Sequence, residues 1–105
     1  MVDFSAIQEV AQRIVREFHP DRIILFGSYA YGTPAPGSDV DLLVLLPFEG
    51  KAFRKSLEIL NRVNATVPLD LLARRPDDPA RRYKEGDPLI REAIDHGKVL
   101  YERNG

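Results

Sequence analysis

The segment GSYAYGTPAPGSDVDLLV, residues 27–44, joins two stretches that both have the character of buried strands. It follows the short apolar run RIILF, residues 22–26, whose length and β-branched content predict a strand. It runs into DVDLLVLL, residues 39–46, which predicts a second strand. The short connection favours antiparallel pairing, because a parallel crossover usually needs a dozen or more residues. Antiparallel pairing would place Gly27 and Ser28 beside Asp39.

Two carboxylates stand at the beginning of the second predicted strand. Side chains alternate along a strand, so Asp39 and Asp41 are expected on one face and Val40 and Leu42 on the other. With backbones about 6 to 7 Å apart, the two charges would repel by roughly 2 to 3 kcal/mol at an effective dielectric constant near 20. Protonation, nearby arginines or a divalent cation could relieve this repulsion. The spacing suits Mg²⁺, which takes oxygen ligands together with a substrate phosphate.

The end of the first predicted strand has the features of a phosphate-binding turn. Ser28 begins the stretch SYAYG, which predicts a short helical turn, and the N-terminus of a helix presents free N–H groups. Gly27 lets the backbone approach a ligand closely, and the Ser28 hydroxyl can donate a hydrogen bond. A phosphate seat beside metal-binding acids suits phosphoryl or nucleotidyl transfer.

The remaining sequence predicts an α+β domain. Helical periodicity over residues 3–18 and 51–64 predicts two amphipathic helices. VPLDLLA, residues 67–73, and KVLYE, residues 98–102, predict two further strands, and aspartates before prolines predict two short helices between them. In the second amphipathic helix, the side chains expected to face inward are Ala52, Phe53, Leu57, Leu60 and Val63.

A third acid, Asp70, stands in the middle of the strand predicted over residues 67–73, between Leu69 and Leu71. If that strand joins the same sheet, Asp70 can point at the metal site. It could then act as a general base on an attacking hydroxyl, or as a ligand to a second metal ion. A salt bridge to one of the many arginines is the structural alternative, since an unpaired buried charge is costly.

Composition limits the classes of function that remain. The 105 residues predict one domain over residues 1–105, and the absence of cysteine excludes disulfides and thiolate metal sites. A net charge of -1 gives no general attraction to nucleic acid, so no direct nucleic-acid binding is expected. No apolar run approaches the roughly 20 residues of a membrane span, and no secretory signal is apparent, so a cytoplasmic location is expected.

The motifs FGS and SDVDLLV resemble those of the minimal nucleotidyltransferases of the DNA polymerase beta superfamily. Members of this family carry a hydrophobic residue, Gly-Ser or Gly-Gly, about ten further residues, and an Asp-x-Asp or Asp-x-Glu pair between hydrophobics. The resemblance extends to LDL and to the ending LIREAIDHGKVLYE. It implies a polymerase-beta-like fold, a small mixed sheet with helices packed on it. It also implies that Gly27 and Ser28 bind the nucleotide phosphates, and that Asp39, Asp41 and Asp70 form the catalytic acids around one or two Mg²⁺ ions.

The chain also resembles MNT antitoxins, which are paired with all-helical HEPN proteins. This implies transfer of AMP from ATP to a tyrosine of a HEPN toxin, and it allows a homo- or hetero-oligomer.

One position departs from the family. Many relatives read Gly-Ser-x-Ala-Arg-Gly, whereas this chain has Tyr31 before Gly32 and so lacks a cation able to face the triphosphate.

Two other functions fit the same motifs. The chain could be a non-catalytic, nucleotide-binding antitoxin that neutralises a HEPN ribonuclease by direct contact, or a transferase acting on a small molecule such as an antibiotic. Other polar residues have structural interpretations: His19 and His96 as helix caps, and Tyr29 and Tyr31 as packing residues. The cluster interpreted as a solvated face comprises Arg74, Arg75, Arg81, Arg82 and Lys84.

Overall fold

Helices and strands alternate along the chain in a computed structural model that describes residues 2–103. The elements are α1 (Phe4–Phe18), β1 (Arg22–Phe26), α2 (Ser28–Tyr31), β2 (Val40–Leu45), α3 (Ala52–Val63), β3 (Leu69–Arg74), α4 (Asp78–Lys84), α5 (Pro88–His96) and β4 (Lys98–Glu102). Each predicted helix and strand is present, so the predicted α+β class is confirmed. None of the helices within residues 2–103 is long and apolar enough to cross a membrane.

The strands form one mixed sheet in the order β3-β2-β1-β4. β1 pairs antiparallel with β2, as the short connection predicted, and Phe26 lies opposite Asp41. β2 pairs parallel with β3, whereas β4 runs antiparallel to β1 on the other side. Strands β3 and β4 are therefore the two edges, and Asp41 lies on the interior strand β2.

Both faces of the sheet are covered, which explains why β1 and β2 are almost continuously apolar. On one face, Val40, Leu42 and Val44 pack with the buried stripes of α1 and α3, including the fully buried Ile14 and Ile59. The opposite face carries a smaller cluster to which β1, β2 and α5 contribute. Its buried members are Ile24, Phe26, Leu43, Leu45, Ile90 and Ala93. Asp41 precedes Leu43 on this second face.

Helix α3 faces inward along only part of the predicted stripe: Val63 is buried and Leu60 packs against the core, as predicted. Phe53 and Leu57, expected inside, are 71% and 42% exposed, whereas Ser56 is buried. The Ser56 hydroxyl donates to the Ala52 carbonyl at 2.9 Å and accepts from the Ala73 amide of β3 at 2.9 Å. A small residue at this point lets the helix approach the edge strand closely, and both hydrogen bonds satisfy its buried hydroxyl. Packing against β3 thus overrides the simple hydrophobic pattern.

Helix α5, which borders the acids, is fixed at both ends. The Asp87 side chain caps its start by accepting from the amides of Leu89 and Ile90 at 3.1 and 3.3 Å. At its end, a Cβ on Gly97 would lie 2.9 Å from the Leu25 carbonyl of β1, so only glycine allows this close contact. The helix is therefore held firmly against β1 at the point where β1 reaches the candidate site.

Candidate active site

Asp41 and Asp70 lie side by side in the parallel pair formed by β2 and β3. Each is the second residue of its strand, and the two are direct register partners. Neighbouring strands are about 4.8 Å apart, and residues in register point to the same face. Asp70 therefore joins the sheet at the place where the sequence analysis required it.

The structural setting of Asp70 differs from the prediction in one respect. It lies at the beginning of its strand rather than in the middle, and its side chain is exposed. The argument that a buried Asp70 needs a salt bridge therefore does not apply. Alignment with Asp41 brings Asp70 into the candidate site, and its exposure leaves it accessible to an incoming group.

Asp41 experiences the combined charge of its neighbours. It is half-buried, and burial, followed by the charges of Asp70, Asp39 and Glu92, raises its pKa to about 6. Asp39 lies just before β2 and is exposed. These carboxylates create a local negative potential that the folded chain maintains at an energetic cost.

Asp39, Asp41 and Asp70 lack cationic partners within residues 2–103. None of the ion pairs there includes Asp39, Asp41 or Asp70, although the chain has 15 lysines and arginines. Oxygen donors with unneutralised charge suit a hard cation such as Mg²⁺. In the same range, no three carboxylate or imidazole groups converge closely enough to hold one metal ion. Asp41 and Asp70 fit such an ion as an adjacent pair, and the complete three-acid site stays a prediction.

Gly27 brings the backbone directly against Asp41. Its φ of 77° lies in the region that favours glycine, and an added Cβ would overlap Oδ2 of Asp41. Its carbonyl accepts from the amides of Ala30 and Tyr31 at 3.0 and 3.2 Å, which closes the turn of α2. The glycine that the sequence analysis assigned to the phosphate seat thus lies beside the principal acid.

The turn that begins at Ser28 is shorter than a typical phosphate-binding helix. α2 contains only 4 residues, Ser28–Tyr31, and is capped by Gly32, whose amide donates to the Ser28 carbonyl. A single turn has little dipole, so any attraction for phosphate must come from individual N–H groups and the Ser28 hydroxyl. Within residues 2–103, the backbone amides of Ser28 and Tyr29 have no backbone acceptor. Phosphate binding by Gly27 and Ser28 stays a prediction.

Sequence reasoning missed a fourth acid, Glu92 of α5. Burial and then the neighbouring Glu92 carboxylate raise the pKa of Tyr31. The Tyr31 ring is 41% exposed and meets the edge of His96 at a centroid distance of 6.2 Å. Tyr31 therefore lies close to an acidic side chain and supplies no cation of its own at this point. Only the helical phase of Glu92 relative to the buried Ile90 and Ala93 hints at this position in the sequence.

The tyrosines of α2 have different environments. Tyr29 is half-buried against the main core, and its hydroxyl accepts from the Val2 amide at 3.2 Å, which confirms its packing role. Tyr31 is 41% exposed and contacts the His96 ring, so it packs only at the surface of the protein. The cap interpretation is confirmed for His19, which adopts the left-handed conformation at the end of α1.

Most of the arginine cluster is engaged in ion pairs. Arg74, Arg81 and Arg82 all contact the carboxylate of Asp78, with the Arg82 Nε 2.7 Å and the Arg74 Nε 3.7 Å from its Oδ2. Arg82 also approaches Asp87 at 3.5 Å. The cluster is therefore an ion-pair network around one carboxylate, rather than only a solvated face.

Fold and acid geometry together define a polymerase-beta-like nucleotidyltransferase: a mixed sheet with paired aspartates beside a glycine turn. The family model for the nucleotidyltransferase domain matches residues 7–100. The chain belongs to this nucleotidyltransferase-domain family. A nucleotide donor is the corresponding cofactor class.

Solved structures with the same fold include a candidate nucleotidyltransferase from Sulfolobus solfataricus. It has 17% identity and a TM-score of 0.67 over 94% of this chain and 79% of the other. A toxin-antitoxin complex with AMP-PNP matches at 22% identity and a TM-score of 0.59, over 92% and 74%. A tri-AMPylated Shewanella oneidensis HEPN toxin in complex with an MNT antitoxin matches at 18% and 0.50, over 91% and 72%. At these identities the likeness supports the fold. No curated protein matches the chain.

Proposed function

We propose that the chain is a Mg²⁺-dependent nucleotidyltransferase that moves AMP from ATP to a tyrosine hydroxyl of a HEPN-family partner, and so acts as an antitoxin. Residues 1–105 would form the single catalytic domain, working in the cytoplasm in a complex with that partner. The observation that carries the proposal is the pairing of Asp41 with Asp70 beside Gly27, in a member of the nucleotidyltransferase-domain family.

Each candidate residue has a distinct role in this proposal. Asp39 and Asp41 would hold Mg²⁺ with Asp70 as the third carboxylate, and the bound ion would neutralise charge on the triphosphate. Gly27 and Ser28 would bind the phosphates on the other side. The tyrosine oxygen would attack the α-phosphorus, and the bond from that phosphorus to the oxygen of the pyrophosphate group would break. The exposed Asp70 is the candidate acceptor of the hydroxyl proton.

The choice of donor and acceptor draws on proteins that share the fold. One such structure is a toxin-antitoxin complex with AMP-PNP, an analogue of the proposed donor. Another contains a tri-AMPylated HEPN toxin with its MNT antitoxin. Both are consistent with ATP as donor and a HEPN protein as acceptor, and they make protein adenylylation the activity to test first.

The test combines the chain, ATP and Mg²⁺ with the HEPN-family protein of the same genome and follows the acceptor by intact mass spectrometry. We expect the mass of adenylate to be added, with loss of the addition when EDTA is present. Asp41→Asn should slow the reaction about a thousandfold or more, because losing a metal ligand removes several kcal/mol of transition-state stabilisation.

Asp77→Asn is the matched control, since Asp77 is an exposed carboxylate whose side chain makes no capping hydrogen bond. It should leave the rate unchanged. An unmodified acceptor, or equal rates for Asp41→Asn and the unaltered chain, would contradict the proposal.

A further inference from the structure

A groove of about 370 Å³ runs along the β3 edge of the sheet, beside the candidate site. Helix α3 forms one wall and strand β3 the floor, while Arg82 of α4 contributes at one end. The side chains that matter for its chemistry are Phe53, Leu57, Asp70, Leu72, Arg74 and Arg82. Asp70 belongs both to this groove and to the acid pair with Asp41, so the groove opens directly onto the site.

The middle of the groove is apolar and open to solvent. Phe53 and Leu57, at 71% and 42% exposure, are neighbours on α3 at the i,i+4 spacing. Leu72 of β3 is only partly buried on the other face of the sheet, and it lines the groove at the edge of the strand. Contiguous exposed apolar side chains next to polar residues are typical of sites where another protein binds. The inward rotation of Ser56 leaves these two large residues outside.

The groove is unsuited to accepting an added β-strand, although β3 is an edge strand. The Ser56 hydroxyl already accepts from the Ala73 amide at 2.9 Å, so that donor is occupied. An incoming strand would need the outward-facing amides of β3 in an unbroken series. Contact between side chains is therefore the mode of binding that this surface allows.

Charge differs between the two ends of the groove. Asp70 lies at one end without an ion-pair partner among residues 2–103. Arg74 and Arg82 lie at the other end, where they share the Asp78 carboxylate with Arg81, and Arg82 also approaches Asp87. The surface thus suits a protein segment that has apolar side chains in its middle and an acidic residue towards Arg74 and Arg82. A nucleic acid would meet the repelling acids and find few stacking or phosphate contacts.

We infer that this groove is the docking surface for the acceptor protein. Apolar side chains of the acceptor bind on Phe53, Leu57 and Leu72, and its hydroxyl-bearing segment then reaches Asp70 and Asp41 at the open end. This inference rests on the proposed function, because it assumes that the acceptor is a protein. It adds the surface that selects the acceptor.

The test uses the double substitution Phe53→Ser with Leu57→Ser in the full chain and the HEPN-family protein of the same genome. We expect the KM for the acceptor to rise about tenfold to a hundredfold, because the variant loses the burial of two large apolar side chains. The kcat and the affinity for a fluorescent ATP analogue should stay unchanged, since both residues lie outside the nucleotide seat. Val99→Ser is the control, as Val99 is 50% exposed on the opposite edge strand β4.

Direct binding separates the failure of this inference from the failure of the proposed function. Binding of the acceptor to the immobilised chain is measured alongside catalysis. If AMP transfer is absent but the double variant still weakens binding, the proposed function fails and the docking surface stands. Unchanged binding or KM in the double variant, or an equal effect of Val99→Ser, would overturn the inference. So would a dimer of the unaltered chain that the double variant dissociates without changing acceptor binding.

Discussion

The chain contains two aspartates, Asp78 and Asp41, in opposite electrostatic surroundings. At Asp78, burial alone would raise the pKa, but hydrogen bonds from Arg81 and Arg82 outweigh it and lower the pKa. At Asp41, burial acts with Asp70, Asp39 and Glu92, and the pKa rises to about 6. One carboxylate is surrounded by cations, and the other is surrounded by further acids.

This contrast separates a structural from a functional use of the same side chain. The arginines around Asp78 tie α4 to the end of β3, so they stabilise the fold. The chain has cations available, yet within residues 2–103 no ion pair places one on Asp41. Clusters of repelling charge are expected at sites that bind an ion or perform chemistry, because the ligand supplies the missing charge.

After the loss of rate expected for Asp41→Asn, the next largest predicted effect tests the close approach of the backbone to Asp41. Gly27→Ala would place a Cβ on Oδ2 of that carboxylate and would also strain the backbone at a φ of 77°. We expect AMP transfer to fall about a hundredfold, because even a small displacement of a catalytic group is costly. Steady-state kinetics of acceptor adenylylation measure the effect.

Gly37→Ala provides the matched control for backbone strain. Gly37 has a φ of 85°, but a Cβ there would meet no atom within 4 Å. It should cost about 1 kcal/mol of stability and leave the rate unchanged. If the two alanine variants lose activity equally, contact with Asp41 does not explain the requirement for Gly27.

The next largest predicted effect tests whether the ion pairs of Asp78 stabilise the fold. Asp78→Asn leaves three guanidinium groups without their shared carboxylate, so the free energy of unfolding at pH 7 should fall by about 2 kcal/mol. The folded-state pKa of Asp78 is lowered, so its contribution is present above the ordinary value of 3.8 and is lost as the pH falls through the folded-state value.

Urea unfolding at neutral and at strongly acidic pH measures this difference, with Asp77→Asn as the control. Asp77 is an exposed neighbour that makes no capping hydrogen bond. Equal stability of Asp78→Asn and the unaltered chain at pH 7 would mean that the network contributes nothing.

The sequence was sufficient to predict the part of the site that lies within one local segment. The alternation of side chains along a strand predicted that Val40 and Leu42 share the face opposite to Asp41, and the short connection predicted antiparallel pairing with β1. These features depend on strand periodicity and chain length, which are local properties.

Features set by distant contacts could not be predicted in the same way. The parallel register that aligns Asp70 with Asp41 depends on the placement of α3 and β3, which local periodicity leaves open. Two apolar stripes compete on α3, and a hydrogen bond from the Ala73 amide to Ser56 distinguishes the observed one. Glu92 reaches the site only because Asp87 and Gly97 fix α5 against β1.

The smallest effect has the opposite sign from that at Asp78. The folded-state pKa of Asp41 is about 6 against an ordinary 3.8, so its favourable contribution is complete below 3.8 and is lost as the pH rises through 6. Asp41→Asn removes a charge that the fold disfavours. After allowance for solvent screening at this half-buried position, we expect the variant to be about 1 kcal/mol more stable than the unaltered chain at pH 8.

Urea unfolding with EDTA at pH 8 and pH 4 measures this difference, which should disappear at pH 4, where the unaltered Asp41 is also neutral in the folded state. Millimolar Mg²⁺ at pH 8 should reduce this difference in the free energy of unfolding. The cation should stabilise only the unaltered chain, because it binds the Asp41 carboxylate and neutralises its charge. If Asp41→Asn is instead less stable than the unaltered chain at pH 8, the Asp41 carboxylate stabilises the fold, as the Asp78 carboxylate does. Greater stability accompanied by loss of AMP transfer would instead show that the fold gives up stability at this position to keep a charged site.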